Sequence, residues 1–177
     1  MRKSIAIDMD QVLANFYKKL TVVFNEAFET SYTEAEFLQT TQRDLSPEQG
    51  EKFFALLNEP NFFRDLEVLD PDAIEVVREL NEHYDVYIAT AAMDVPGSFN
   101  AKYDWLLEHL PFLDTQNFVF CGNKAVIHTD YLIDDSPRQL HAFKGTGILY
   151  TMPYNVHVED FVTVSSWKEI GEYFKGV

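Results

Sequence analysis

Two aspartates spaced two residues apart follow directly on a short apolar run: Ile5-Ala6-Ile7 leads into Asp8-Met9-Asp10-Gln11-Val12-Leu13-Ala14. A buried strand that ends on one carboxylate and carries a second two residues on points both acids the same way out of its carboxyl end. In an open α/β sheet ligands collect just beyond the carboxyl ends of the strands. Asp8 is thereby placed as an exposed nucleophile and Asp10 as a neighbouring proton donor, a layout suited to phosphoryl transfer. Taken alone, the pair reads equally well as a plain strand-ending turn.

Three later segments answer it. Val86-Tyr87-Ile88-Ala89-Thr90 is an apolar run ending on a hydroxyl, and Tyr131-Leu132-Ile133-Asp134-Asp135 is another ending on two adjacent acids. Between them Asn123-Lys124 follows the strand-like Phe118-Val119-Phe120-Cys121. A parallel sheet brings all of these polar residues to one edge, so one site collects up to four carboxylates, a lysine and a threonine. Acids that close cannot all stay ionised without a counter-charge. Hard oxygen ligands beside a substrate phosphate are what Mg²⁺ accepts, so a Mg²⁺ cofactor is expected.

The ordered set Asp8-x-Asp10, Thr90, Lys124 and Asp134-Asp135 resembles the four signature motifs of the haloacid dehalogenase superfamily of phosphatases. Within it the chain is similar to the 5′(3′)-deoxyribonucleotidases through Asp8-Met9-Asp10-x-Val12-Leu13-Ala14-x-Phe16, Asn61-Phe62-Phe63, Lys102-Tyr103-x-Trp105 and Leu132-Ile133-Asp134-Asp135. The similarity covers roughly residues 4 to 143. Two positions depart from the pattern: Gln11 stands where the family usually has Gly, and Ala91 follows Thr90 where it usually has Ser. The second departure removes one phosphate hydrogen bond.

The resemblance, with the charge balance, implies a mechanism. Asp8 attacks phosphorus in line, while Mg²⁺, Lys124 and backbone amides near Met9 and Asp10 neutralise the equatorial oxygens. Asp10 protonates the departing ester oxygen and later takes a proton from the water that hydrolyses the aspartyl phosphate. Thr90 orients a phosphoryl oxygen. Asp134 and Asp135 hold the metal with Asp8 and the carbonyl of Asp10, and which of the two binds directly stays open. Lys102 is read either as a second positive charge for the phosphate or as an exposed helix lysine. Phe16 and Phe63 match phenylalanines that border the base pocket in the family, in keeping with the stacking of flat bases on aromatic rings.

The elements needed to position these groups alternate. Residues 4 to 8 read as strand, and Phe16, Leu20, Val23, Phe24, Ala27 and Phe28 follow the helical period. Thr33-Glu34-Ala35-Glu36 is a capping box, and Ser46-Pro47-Glu48-Gln49 opens a third helix. Residues 15 to 64 are therefore expected to be a helical cap inserted after the first strand, setting the substrate, with 1–14 and 65–177 as the catalytic core. In the core, a helix from Asp70-Pro71 to about His83 leads into strand 85 to 90. Helix 98 to 110 stops before Pro111, and strands are expected at 117 to 121, 130 to 134, 147 to 150 and 161 to 164. A last helix is capped by Ser166. The expected fold class is α/β, a Rossmannoid three-layer fold like that of the haloacid dehalogenases, with a central parallel sheet.

The chain's 177 residues, 46% of them hydrophobic, suffice for one such core with an insertion. Its 14 basic against 29 acidic residues give a net charge of −15, which argues against polymeric nucleic acid but not against a single nucleotide. No apolar stretch approaches the ~20 residues that cross a bilayer, and Met1-Arg2-Lys3 runs straight into a strand, so a cytoplasmic protein with no membrane partner is expected. Cys121, the only cysteine, is read as a buried strand residue. The five histidines form no close pair at ligand spacing, which argues against zinc. The expected activity is Mg²⁺-dependent hydrolysis of (deoxy)nucleoside 5′- or 3′-monophosphates, with another small ester such as a sugar phosphate as the alternative substrate. A response-regulator receiver gathers similar groups, but there the accepting Asp lies on a middle strand and no cap intervenes. The oligomeric state, monomer or homodimer, is left open.

Overall fold

The computed structural model describes residues 2–39 and 45–177. Six parallel strands form one sheet: β1 (Ser4–Ile7), β2 (Asp85–Thr90), β3 (Phe118–Phe120), β4 (Tyr131–Asp134), β5 (Thr146–Tyr150) and β6 (Val162–Val164), in the spatial order β3-β2-β1-β4-β5-β6. The first strand is thus central, with β2 and β4 on its flanks. Its unbroken apolar run follows from this place, because both faces of a central parallel strand are covered.

Successive side chains divide between the faces, as the two-residue period requires. Ile5, Ile7, Val86, Ile88, Ile133 and Ile148 join a large cluster with the helices α4 (Ala73–His83) and α7 (Trp167–Lys175). Ala6, Ala89, Leu132 and Leu149 face the other way onto a smaller cluster with Leu140 and Phe143 around the short helix α6 (Pro137–Ala142). The expected α/β three-layer arrangement is present, with one thick and one thin helical layer. Helix α6 itself had no counterpart in the sequence reading, since six residues leave too little length for a period to show.

Among the described residues three helices lie between β1 and α4: α1 (Phe16–Phe28), α2 (Glu34–Gln39) and α3 (Pro47–Leu57). Their starts are written locally. Asn15 accepts from the Lys18 amide, Thr33 and Glu36 exchange hydrogen bonds across the first turn of α2, and Ser46 and Gln49 do so for α3 with Pro47 at its first position. Leu20 and Phe24 face inward from α1 onto Phe37 and Phe53. The chain leaves and re-enters the sheet domain through two adjacent strands of backbone: the Asn15 amide donates to Glu67, and the Leu69 amide to Leu13, both over 2.8 Å. Helix α4 starts at Ala73 rather than at Pro71, because the Asp70 carboxylate accepts from the Asp72 and Trp167 amides and organises the preceding turn instead. Helix α5 (Phe99–His109) follows β2, and its Trp105 indole donates to the carbonyl of Leu66 at 2.8 Å, fastening the returning segment. Among the described residues no helix is long and apolar enough to cross a membrane.

Candidate active site

Register sets the site. Ile7 pairs with Ile88 on one side and Ile133 on the other, and the Asp8 amide donates to the Ile133 carbonyl at 2.9 Å. Asp8 therefore stands level with Asp134, while Thr90, two residues beyond Ile88, reaches further along the same edge. Beyond Asp8 the chain does not run on straight: the Leu13 and Ala14 amides both fold back onto the carbonyl of Met9, at 2.9 and 2.8 Å. Within this tight loop Gln11 takes a left-handed backbone with φ 58°.

Two buried lysines organise the acids. Lys124 Nζ lies 2.6 Å from Asp8 and 2.5 Å from Asp134, and all three are almost wholly enclosed. Burial opposes the lysine's charge, but the two carboxylates outweigh it and hold the ammonium well above its ordinary pKa. The loop that carries it is pinned by Gln139, whose side-chain oxygen accepts from the Lys124 amide at 3.0 Å while its amide group donates to Gly122. Lys102, on α5, forms an ion pair with Asp10 and donates to the Thr90 hydroxyl at 3.0 Å. It is 2% exposed, so the reading of an exposed helix lysine is overturned: the packing of α5 turns it inward.

Burial raises the pKa of Asp8 despite Lys124, and raises that of Asp10 despite Lys102. Asp135 is raised further, by burial and then by the charges of Asp8 and Asp134. Carboxylate oxygens of Asp8, Asp134 and Asp135 lie within 4.8 Å of one another. A set of hard oxygen donors that repel one another at this spacing fits a divalent cation such as Mg²⁺. The two neighbouring acids differ. Asp134 already uses one oxygen for Lys124 and the other for the Ser136 amide at 2.8 Å. Asp135 is partly open, and takes a hydrogen bond from the Tyr154 hydroxyl, whose pKa is raised by burial and by that carboxylate.

The site opens into a cleft of about 280 Å³, lined by Asp8, Asp10, Lys102, Lys124, Asp134 and Asp135 on the sheet side and by Phe16, Tyr17 and Phe63 on the other. That size is at the low end for small-molecule sites. Phe16 and Phe63 stack with centroids 5.6 Å apart and planes 10° from parallel, and Lys102 Nζ sits 4.6 Å from the centre of the Phe63 ring. Two buried side-chain atoms near the cleft have no hydrogen-bond partner among the described residues, Asp10 Oδ1 and Gln11 Nε2. A hollow of about 300 Å³ between α4 and α7, lined by Val76, Leu80, Tyr84 and Phe174, holds none of the catalytic candidates.

Every candidate singled out from the sequence therefore falls at or beside this edge. Met9 is fully buried, leaving only its backbone to serve a ligand, and Thr90 is enclosed behind Lys102. Cys121 differs from its expected place: it lies just past β3 and is partly exposed, because the strand ends at Phe120. The sequence reading missed Tyr154, Gln139 and Asn155. Asn155 donates to the Asp135 and Tyr150 carbonyls and so shapes the loop behind the acids. No spacing rule connects these residues to the motifs they support.

A family model described as 5′ nucleotidase, deoxy (pyrimidine), cytosolic type C protein matches residues 2–175. A Staphylococcus epidermidis protein provisionally described as a 5′(3′)-deoxyribonucleotidase is 48% identical over 176 residues, 99% of this chain and 98% of its own length. A 5′(3′)-deoxyribonucleotidase of Bacillus subtilis is 35% identical, covering 96% of this chain and 97% of its own. Among solved structures, a haloacid dehalogenase-like hydrolase of Streptococcus pneumoniae aligns with TM-score 0.69 at 14% identity, over 98% of each chain.

Proposed function

The chain belongs to the cytosolic type C 5′-nucleotidase family and is a phosphoric monoester hydrolase of the haloacid dehalogenase fold, and on that premise we propose that it hydrolyses (deoxy)nucleoside 5′- or 3′-monophosphates through a phosphoenzyme at Asp8. The observation that carries this reading is the ion-paired edge on which Asp8 faces a cleft roofed by two stacked phenylalanines.

Asp8 attacks phosphorus in line with the ester oxygen, and the P–O bond to the nucleoside breaks as the aspartyl–phosphorus bond forms. Lys124 opposes the burial that raises the Asp8 pKa and so favours the attacking carboxylate, and Lys102 adds a second positive charge beside Asp10 on the same side of the cleft. Asp10, whose pKa burial raises, delivers a proton from its unpartnered Oδ1 to the leaving oxygen. The same carboxylate then takes a proton from the water that releases phosphate. Asp8, Asp135 and the Asp10 carbonyl would hold Mg²⁺ directly, with Asp134 supporting through Lys124 and the Ser136 amide. When bound there the ion supplies positive charge against both the acid cluster and the phosphoryl oxygens.

Residues 15–64 act as the substrate-selecting cap on the core formed by 1–14 and 65–177, with Phe16 and Phe63 facing a nucleobase. The partner is one small nucleotide, since the strongly acidic chain repels a long phosphate backbone. Phosphate release from purified protein with dUMP, dTMP, UMP, purine nucleotides and sugar phosphates tests the reading. Nucleotides should be turned over best, and excess EDTA on metal-stripped protein should stop turnover. Best turnover of a sugar phosphate, or full activity in EDTA, would overturn the corresponding part.

A further inference from the structure

Gln11 occupies a costly position. Its φ of 58° lies in the left-handed region, where glycine is at ease and a side chain is strained. The tight loop could be made by glycine, so the loop's path alone does not account for a glutamine. The side chain is 1% exposed, and its oxygen accepts from the Tyr17 amide at 2.9 Å, in the first turn of α1. That bond fixes the orientation of the amide: rotating it would set two N–H groups against each other. Nε2 is left buried without a partner among the described residues, at the cleft lined by Asp10, Phe16, Tyr17 and Phe63. A buried donor without an acceptor is unfavourable unless a ligand supplies one.

Building on the nucleotide reading, we propose that Gln11 is a specificity-determining residue whose Nε2 donates a hydrogen bond to an uncharged oxygen of the nucleoside, close to the scissile ester. Charge separates this acceptor from the phosphate. The phosphoryl oxygens face two ammonium groups, Lys124 and Lys102, whereas Gln11 offers a neutral amide from the side of the cleft that holds the cap helix. Position agrees with this. Among the described residues the other unpartnered buried atom is Asp10 Oδ1, assigned to the leaving ester oxygen, and Asp10 and Gln11 line the same cleft, so a ligand there that carries that oxygen can also offer an acceptor to Nε2. A site that presents a buried donor in this way rejects ligands lacking the matching acceptor.

The test uses the full chain with Mg²⁺ and two variants that differ in backbone strain: Gln11→Met keeps the bulk, and Gln11→Gly relieves the left-handed turn. Inhibition by thymidine, which has no phosphate, is compared with inhibition by inorganic phosphate, and kcat/KM for dTMP with that for phenyl phosphate. In both variants the thymidine inhibition constant should rise about fivefold more than that for phosphate, the worth of one lost neutral hydrogen bond. The dTMP to phenyl phosphate ratio should fall by a similar factor, through KM. Equal changes for thymidine and phosphate would place the donor on the phosphoryl group and overturn the proposal, and so would no change in either ratio. Disagreement between Met and Gly would trace the effect to backbone strain and overturn it as well. Wild-type protein that hydrolyses phenyl phosphate but no nucleotide would instead overturn the nucleotide reading, and this proposal with it.

Discussion

The carboxyl edge of the sheet and the helical segment from Phe16 to Leu57 both bury side chains, for opposite reasons. The edge encloses Asp8, Lys102, Lys124 and Asp134 at 7% exposure or less, each tied to a named partner at short range. The helical segment encloses Leu20, Phe24, Phe37 and Phe53, with the Phe24 ring 5.1 Å from that of Phe37 and 5.9 Å from that of Phe53. An ionic cluster depends on each partner, because removing one strands a buried charge. An aromatic cluster depends on volume and tolerates a change of shape. The first arrangement is fixed to the atom, as the chemistry proposed for it requires, and the second has room to differ, as the substrate-selecting role proposed for it requires. Phe16 and Phe63 lie where the two regions meet, with Lys102 against Phe63.

The largest effect is expected at the edge. Asp8→Asn should lower turnover on the order of 10⁴-fold or more by removing the attacking carboxylate. Asp10→Asn should still form some phosphoenzyme and fail to release it. Acid trapping of labelled phosphate separates the two, and label on residue 10, or near-normal activity of Asp8→Asn, would break the assignment of roles.

A stability comparison contrasts the two regions directly. In metal-free protein Lys124→Met should cost about 3–5 kcal/mol in urea unfolding, since Asp8 and Asp134 are left buried and unpaired. Phe24→Leu, an apolar exchange in the helical cluster, should cost about 1.5 kcal/mol or less. Equal costs would mean that the edge is no more dependent on single partners than the aromatic cluster is.

The smallest effect belongs to the junction. Phe63→Ala should weaken hydrolysis of a deoxynucleotide relative to p-nitrophenyl phosphate by about tenfold, as one lost base stack is worth roughly 1–3 kcal/mol. Equal losses on both substrates would reduce Phe63 to a packing residue and sharpen the boundary between the regions.

Local sequence determined a good deal. Apolar runs ending in Asp8, Thr90 and Asp134 announced strands with polar groups at their carboxyl ends, since a buried parallel strand must be apolar along its length and can turn polar only where it leaves the sheet. The capping residues Asn15, Thr33 and Ser46 mark helix starts within a few residues, so the helices between β1 and α4 were largely legible, although Asn15 itself was not singled out. What only the tertiary structure decided is which distant groups meet. Lys102 lies 92 residues from Asp10, and no local pattern says that α5 turns it toward the acids rather than to water. Tyr154 reaches Asp135 from a loop and Gln139 reaches Lys124 from α6, and Gln11 shows its unpartnered amide only once Tyr17 has claimed the other end. The division has a physical reason: periodicity and capping are set by neighbours within a turn or two, whereas ion pairs and buried hydrogen bonds are set by the packing of whole elements against one another.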